Sequence, residues 1–263
     1  MDILEKIIAG KKNEVANAKL THEISFYENQ KGFHRTPYSL KKRLKEDKLP
    51  GIIAEYKKKS PSKGVINDSA TPWETGKGYE LAGVAGISVL TDKEFFAGDP
   101  KYLEEIRATV EIPILRKDFI IDEYQIIESK AIGADVVLLI AECLDKNELF
   151  HLTKMAHSLD MEVLLEIHTE RQLDKIVELP DIIGVNNRDL TTFDVSIQHS
   201  LDLIDQLPAT CARISESGIS SVEAIATLNK VGFEGFLIGE FFMREKNPGI
   251  ACQYFIQQLR DSL

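Results

Sequence analysis

Cysteine is scarce in this chain: Cys143, Cys211 and Cys252 are its only thiols in 263 residues. They are odd in number, far apart and set in apolar surroundings, so a disulfide framework is excluded and buried, reduced thiols are expected. The six histidines show no HxH or HxxxH spacing and no CxxC accompanies them, which removes the usual grounds for a dedicated metal site. No GxGxxG occurs after any apolar run, and with it goes the strongest sign of a dinucleotide-binding sheet. Nor is there a long apolar run. The start, MDILEKIIAGKKNEV, has acidic residues near the terminus and no extended apolar core, so neither a membrane span nor a secretory leader is expected, and a cytoplasmic location follows. Positive charge is the minority sign: 32 Lys and Arg against 42 Asp and Glu give a net charge of -10. That balance favours solubility and argues against a nucleic-acid partner. The short basic run Lys41, Lys42, Arg43 and Lys45 reads as a solvated helix face.

What is present is enough for a full core, with 43% hydrophobic and 28% charged residues. The length suits one large domain or two small ones. Ile3, Leu4, Ile7, Ile8, Val15 and Ala18 recur at helical spacing and predict an amphipathic helix over residues 2 to 20; a second short helix follows Pro37. After Pro50-Gly51 a rhythm sets in, alternating short apolar runs with longer amphipathic segments. The predicted strands are Gly51 to Lys57, Gly86 to Thr91, Ile112 to Lys117, Asp135 to Ile140, Glu162 to Glu166, Asp181 to Asn186, Cys211 to Ser215 and Gly235 to Ile238. A helix follows each, among them Glu170 to Val177 after the fifth strand and Ser200 to Gln206 after the sixth. Strands so apolar on both faces call for a parallel sheet covered on both faces, and eight such units close a barrel. The expected fold is therefore α/β, a (β/α)8 TIM barrel over the whole chain, with residues 1–48 as an N-terminal helical extension across it. A doubly wound open sheet is the competing architecture. Gly83, Gly133 and Gly232, each between a helix and the next strand, are read as left-handed caps.

In such a barrel, chemistry gathers at the carboxyl ends of the strands. Glu55 and Lys57 interrupt the first strand at a spacing of two, so both face the interior while Ala54 and Tyr56 face out. Lys117 ends the third strand in step with Leu115 and Phe119, and Glu166 ends the fifth in step with Leu164. Asn186, Asn187 and Arg188 end the sixth, Glu216 and Ser217 the seventh, and Gly239 the eighth. Each alone reads equally well as a strand-end side chain reaching solvent or as a local ion pair. Their coincidence at five strand ends points to a catalytic mouth. Ser217-Gly218 and Gly239-Glu240 offer backbone N–H groups where barrels bind phosphate, and Ser60 and Arg188 add a hydroxyl and a guanidinium.

The blocks IAEYKKKSPSKG, LTDKEFFAGDPKYL, PILRKDFIIDEYQI, GADVVLLIA, LLEIHTE, IIGVNNRDLTTFDV, SESGI and FLIGEFFMR, in this order, resemble the indole-3-glycerol-phosphate synthase family of tryptophan biosynthesis. The resemblance runs from Gly51 to the end, and the N-terminal helices resemble that family's extension. It implies ring closure, decarboxylation and dehydration of 1-(2-carboxyphenylamino)-1-deoxyribulose 5-phosphate to indole-3-glycerol phosphate, without cofactor or metal. It also implies Lys117 as general acid with Glu166 as its partner, and Lys57 near the substrate carboxylate. Glu55, Asn186 and Glu216 would orient. Ser60, Arg188, Ser217, Gly218, Gly239 and Glu240 would hold the phosphate, and Phe96 and Phe119 the anthranilate ring. The expected partner is the small phosphorylated substrate alone, with no nucleic acid and no membrane. The oligomeric state is open, with a monomer expected. A sugar-phosphate isomerase or Schiff-base aldolase on the same scaffold, and a non-catalytic phosphosugar binder, are the alternatives.

Overall fold

The computed structural model describes residues 3–47, 49–189, 192 and 194–262. Eight barrel strands run in chain order: β1 Gly51–Tyr56, β2 Gly86–Leu90, β3 Ile114–Lys117, β4 Val136–Ile140, β5 Glu162–Ile167, β6 Ile182–Asn186, β7 Ala212–Glu216 and β8 Gly235–Ile238, while Lys59–Ser60 and Gly64–Val65 pair antiparallel in a separate two-stranded sheet. Each barrel strand pairs in parallel with its neighbours, and β8 returns to β1 to close the barrel. The open-sheet alternative is thereby removed. Both faces of every barrel strand meet apolar partners, which is why the runs lack the alternation of a half-exposed sheet. In β1, Ile53 joins Leu115, Leu138, Leu164, Ile214 and Leu237 inside the barrel. Ile52, Ala54 and Tyr56 face the outer layer of helices instead.

The helices are α1 Ile3–Thr21, α2 Ile24–Glu28, α3 Leu40–Glu46, α4 Pro72–Ala82, α5 Lys93–Phe96, α6 Pro100–Arg107, α7 Glu123–Ile132, α8 Lys146–Ser158, α9 Gln198–Leu203, α10 Val222–Lys230, α11 Glu240–Met243 and α12 Pro248–Ser262. Gly83 and Gly133 cap α4 and α7 at φ 85 and 97, and Gly232 has φ 111. All three adopt the left-handed backbone that an L side chain resists. The helix predicted after β5 is instead a 3-10 turn, Glu170–Lys175. The Gln172 side chain accepts from His168 N at 2.6 Å, and Lys175 Nζ donates to the Ala141 and Leu144 carbonyls at 2.6 and 2.8 Å. These bonds hold the segment tight against the strand ends. The helix after β6 begins earlier than predicted, at Gln198, and its last predicted turn, Ile204–Gln206, is 3-10.

The extension divides between the two ends of the barrel. Helix α3 plugs the amino-terminal end: Leu40 and Leu44 are 0% and 3% exposed and belong to the barrel interior. The Leu44 Cδ2 methyl lies where a Cβ on Gly51 or Gly235 would come within 2.5 or 2.6 Å of it. Ser39 caps α3 by accepting from Lys42 N at 3.0 Å, and the Glu162 carboxylate accepts from Leu40 N and Lys41 N at 2.9 and 3.0 Å. Those bonds satisfy the open N–H groups of the first turn. Buried Asp135 at the same end accepts from Arg35, Tyr38 N, Arg107 and Ile114 N. Helix α2, not foreseen in the sequence, sets Tyr27 edge-on against Tyr124 of α7 at 5.4 Å. Helix α1 lies at the opposite, carboxyl end.

Candidate active site

At the carboxyl ends of the strands lies a cavity of about 650 Å³. Of the fifteen residues singled out in the sequence, all but Asn187 and Glu216 line it; Asn187 is buried, its Nδ2 donating to Ser215 Oγ and the Ser217 carbonyl. Glu216 lies just beneath, fully buried, and is reached through Lys117. Leu190, Thr191 and Phe193 of the NNRDLTTFDV block fall outside the described residues.

Lys117 stands at the centre because the inward parity of β3 carries it to the mouth above Leu115. Its Nζ donates to Glu216 Oε2 at 2.8 Å, with Glu55 Oε2 at 3.6 Å and Glu166 Oε2 at 3.9 Å. Lys57 Nζ lies 2.5 Å from the other Glu55 oxygen, so this carboxylate bridges both ammonium groups. Asn186 Nδ2 donates to Glu166 Oε1 at 3.1 Å, while its Oδ1 accepts from Arg188 N at 3.0 Å. Two glycines make the room. A Cβ on Gly184 would collide with the Glu216 carboxylate, and one on Gly239 with that of Glu55.

Burial disfavours charge on Lys117, yet the three carboxylates outweigh it and raise the pKa well above the ordinary lysine range. For Glu55, burial opposes ionisation, but Lys57 and Lys117 prevail and the pKa is lowered. Glu216 goes the other way: burial, with Glu166 and Glu55 as like charges, exceeds the pull of Lys117 and raises its carboxyl to about 7. Three carboxylates facing two ammonium groups leave one surplus negative charge. Glu216 is where it is disfavoured, and its Oε1 has no hydrogen-bond partner among the described residues.

The cavity has two unlike ends. At one, Phe96 of α5 and Phe119 after β3 approach with centroids 6.2 Å apart and planes 38° apart. At the other, Ser217 and Gly218 take φ of 68 and 75 in succession, the left-handed backbone that glycine adopts freely and serine resists. Gly239 and Glu240 lead into α11 beside them, and Ser60 and Arg188 come from the segments after β1 and β6, the strands that flank β8 and β7.

Several lining residues escaped the sequence reading. Ile3, Leu4 and Ile7 of α1 roof the cavity; Lys63 lies 3.7 Å from Glu240, and Arg244 follows α11. The helical stripe of Ile3 and Ile7 was visible but indistinguishable from an ordinary core face. His168, two residues beyond Glu166 and not itself a lining residue, is buried with neither ring nitrogen in a hydrogen bond among the described residues. Its Nε2 lies 3.6 Å from Glu166 Oε1, and burial lowers its pKa. The carboxylates surround ammonium groups rather than a metal-sized gap: no group of three or more His, Cys, Asp or Glu among the described residues is placed to hold a metal ion.

A closed eight-stranded parallel barrel with opposed lysines and carboxylates at the carboxyl ends of its strands is an enzyme of the (β/α)8-barrel class. Comparison narrows the class. The chain belongs to the indole-3-glycerol phosphate synthase family, whose profile matches residues 4–255. It is 45% identical over 260 residues to the indole-3-glycerol phosphate synthase of Bacteroides thetaiotaomicron, covering 98% of this chain and 99% of that one. It is 42% identical over 259 residues to that of Polynucleobacter asymbioticus, with 95% and 97% covered. Among solved structures, the tryptophan synthase α subunit of Legionella pneumophila superposes with a TM-score of 0.61, covering 85% of this chain and 96% of that one. At 13% identity that likeness concerns the fold alone.

Proposed function

We propose that this cavity carries out the indole-3-glycerol phosphate synthase reaction with Lys117 as the acid. The substrate, 1-(2-carboxyphenylamino)-1-deoxyribulose 5-phosphate, carries an aromatic ring at one end and a phosphate at the other. Its ring lies against Phe96 and Phe119. Its phosphate lies against Ser60, Arg188, Ser217-Gly218 and Gly239-Glu240. The ketone then falls beside Lys117. The ring carbon bearing the carboxylate attacks the ketone carbon, and Lys117 donates a proton to the oxygen as it becomes a hydroxyl. Carbon dioxide leaves, returning its bonding pair to the ring. Water then leaves together with a proton from the adjacent carbon, and the indole is complete. Glu166, oriented by Asn186, takes up and returns protons. Lys57, steered by Glu55, faces the substrate carboxylate. Every charge that develops is met by a fixed group, so no cofactor is called on.

The observation that carries this reading is the Lys117 ammonium held inside three carboxylates between an aromatic end and a phosphate-like end. The same observation weighs against the Schiff-base aldolase, whose lysine must lose its proton to attack a carbonyl. A biosynthetic reaction on a small anionic substrate, with all of these groups supplied by one chain, suits a monomer in the cytoplasm. Incubation with the carboxyphenylamino substrate should generate indole fluorescence. Folded protein that gives none, or that is trapped covalently on borohydride reduction, would sink the reading.

A further inference from the structure

Lys11 of α1 is a charged side chain where the helix has every reason to be apolar. It lies one and two turns beyond Ile7 and Ile3, on the stripe that roofs the cavity, and is 2% exposed. Its Nζ lies 2.8 Å from Asp118 Oδ1, 3.1 Å from Asp92 Oδ2 and 2.8 Å from Glu14 on its own helix. Burial opposes the charge, but the aspartates outweigh it and raise the pKa. Both aspartates are themselves buried, and each already shapes one wall of the aromatic end. Asp92 caps α5, accepting from Phe95 N at 2.9 Å, so it sets the one-turn helix that carries Phe96. Asp118 accepts from Phe119 N at 2.8 Å, Thr91 Oγ1 at 2.6 Å and Arg116 at 3.2 Å. It also sits between Lys117 and Phe119 in the chain.

We propose that Lys11 is a positioning residue for the ring end of the substrate: by binding Asp92 and Asp118 together, it seats α1 across the mouth and locks the two segments that carry Phe96 and Phe119. This rests on those rings holding the anthranilate, as proposed above. A purely structural role is the weaker account. Asp118 is satisfied by Arg116 and Thr91 without Lys11, and a well-packed apolar side chain commonly matches a buried ion pair in stability. What an apolar side chain cannot do is specify one register of α1 against two separate loops. Seating the roof and shaping the slot are thus a single event, so the ring end is complete only when α1 is down.

The test separates the two ends of the cavity. A fluorescent N-alkylanthranilate lacking phosphate probes the ring end, and inorganic phosphate, read by competition with substrate or by calorimetry, probes the other. Lys11→Met should weaken the anthranilate probe about tenfold or more, toward the ~10²-fold that an ångström of misplacement can cost, and leave phosphate within about twofold. Lys19→Met, which removes the exposed α1 contact to Asp122, should change neither. A folded Lys11→Met protein with a lower melting temperature and unchanged probe affinity would show a structural tether only. Equal weakening of both probes would show a generally loosened mouth. Either overturns the proposal. Should Lys11→Met fail to fold, Asp92→Asn leaves Lys11 paired with Asp118 and must produce the same split to a smaller degree; no split overturns the idea. Wild-type protein that binds the anthranilate probe but yields no indole would count against the proposed reaction and leave the Lys11 result standing.

Discussion

Lys117 and Glu216 lie 2.8 Å apart in the cluster, and their protons behave in opposite ways. Lys117 is held as ammonium where an alkoxide would develop, so its contribution appears mainly in the transition state. Lys117→Met should lower kcat by at least ~10²-fold with little change in substrate binding, as steady-state and single-turnover rates would show. Lys117→Arg should recover little, because a guanidinium keeps the charge but donates its proton poorly. Retention of more than about a tenth of kcat would move the acid elsewhere, first to Lys57. Glu216 predicts a stability effect. Its carboxyl is raised from 4.5 to about 7, so the folded protein holds that proton more tightly than the unfolded chain. The stabilisation is complete below about 4.5 and is lost as pH rises through about 7. Glu216→Gln, which cannot ionise, should therefore melt higher than wild type at pH above 8, by up to about 3 kcal/mol, with the gap closing toward pH 5. A constant difference across that range would show that Glu216 does not titrate there.

The N-terminal helices serve opposite ends of the barrel, so shortening the chain should have two distinct results. Removing residues 1–21 takes away α1 alone and opens the mouth. The barrel should stay folded by circular dichroism, with a raised KM because the roof and its exclusion of water are lost. Removing residues 1–48 also extracts Leu40 and Leu44 and leaves an open hole beside Gly51, Gly86 and Gly235. That chain should fail to fold or should aggregate. The point variant Leu44→Ala should cost about 2–5 kcal/mol in denaturant unfolding, the usual range for a leucine removed from a packed core. Equal stability of the two truncated chains would refute the plug. A single unchanged KM for the shorter truncation would refute the roof.

As a monomer, the state proposed above, the barrel would carry the whole site itself. Specific activity should stay constant over about a hundredfold dilution, whereas a site shared between subunits would lose activity by mass action. A fall on dilution, with sedimentation showing dissociation, would overturn that expectation. Burial also distributes the three thiols unequally. Cys211 and Cys252 are buried and Cys143 is half-buried, and burial pushes the Cys143 thiol up to about 12, so none is poised for thiolate chemistry.

Much of this was written locally. The alternation of apolar runs and amphipathic segments foretold eight strands in order, because each strand's burial on both faces depends on its own few residues. The parity of Glu55 with Lys57, and of Lys117 with Leu115, told which side chains face inward, because a strand reverses direction at every residue whatever it pairs with. Other features had no local signature. Lys117 and Glu216 are 99 residues apart, and only closure of β8 onto β1 makes them neighbours. The need for glycine at Gly184 arises from a carboxylate on the adjacent strand. The 3-10 turn at Glu170–Lys175 replaced a helix because side-chain bonds to distant carbonyls outweighed a weak helical preference. Helices α1 and α3 both look like amphipathic surface helices in sequence, and which end of the barrel each covers depends on surfaces that exist only once the barrel has closed. Lys11 shows the difference most sharply. In the sequence it is one more lysine between the apolar positions of α1, because the two aspartates that make a buried ammonium stable there come from loops 81 and 107 residues further along the chain.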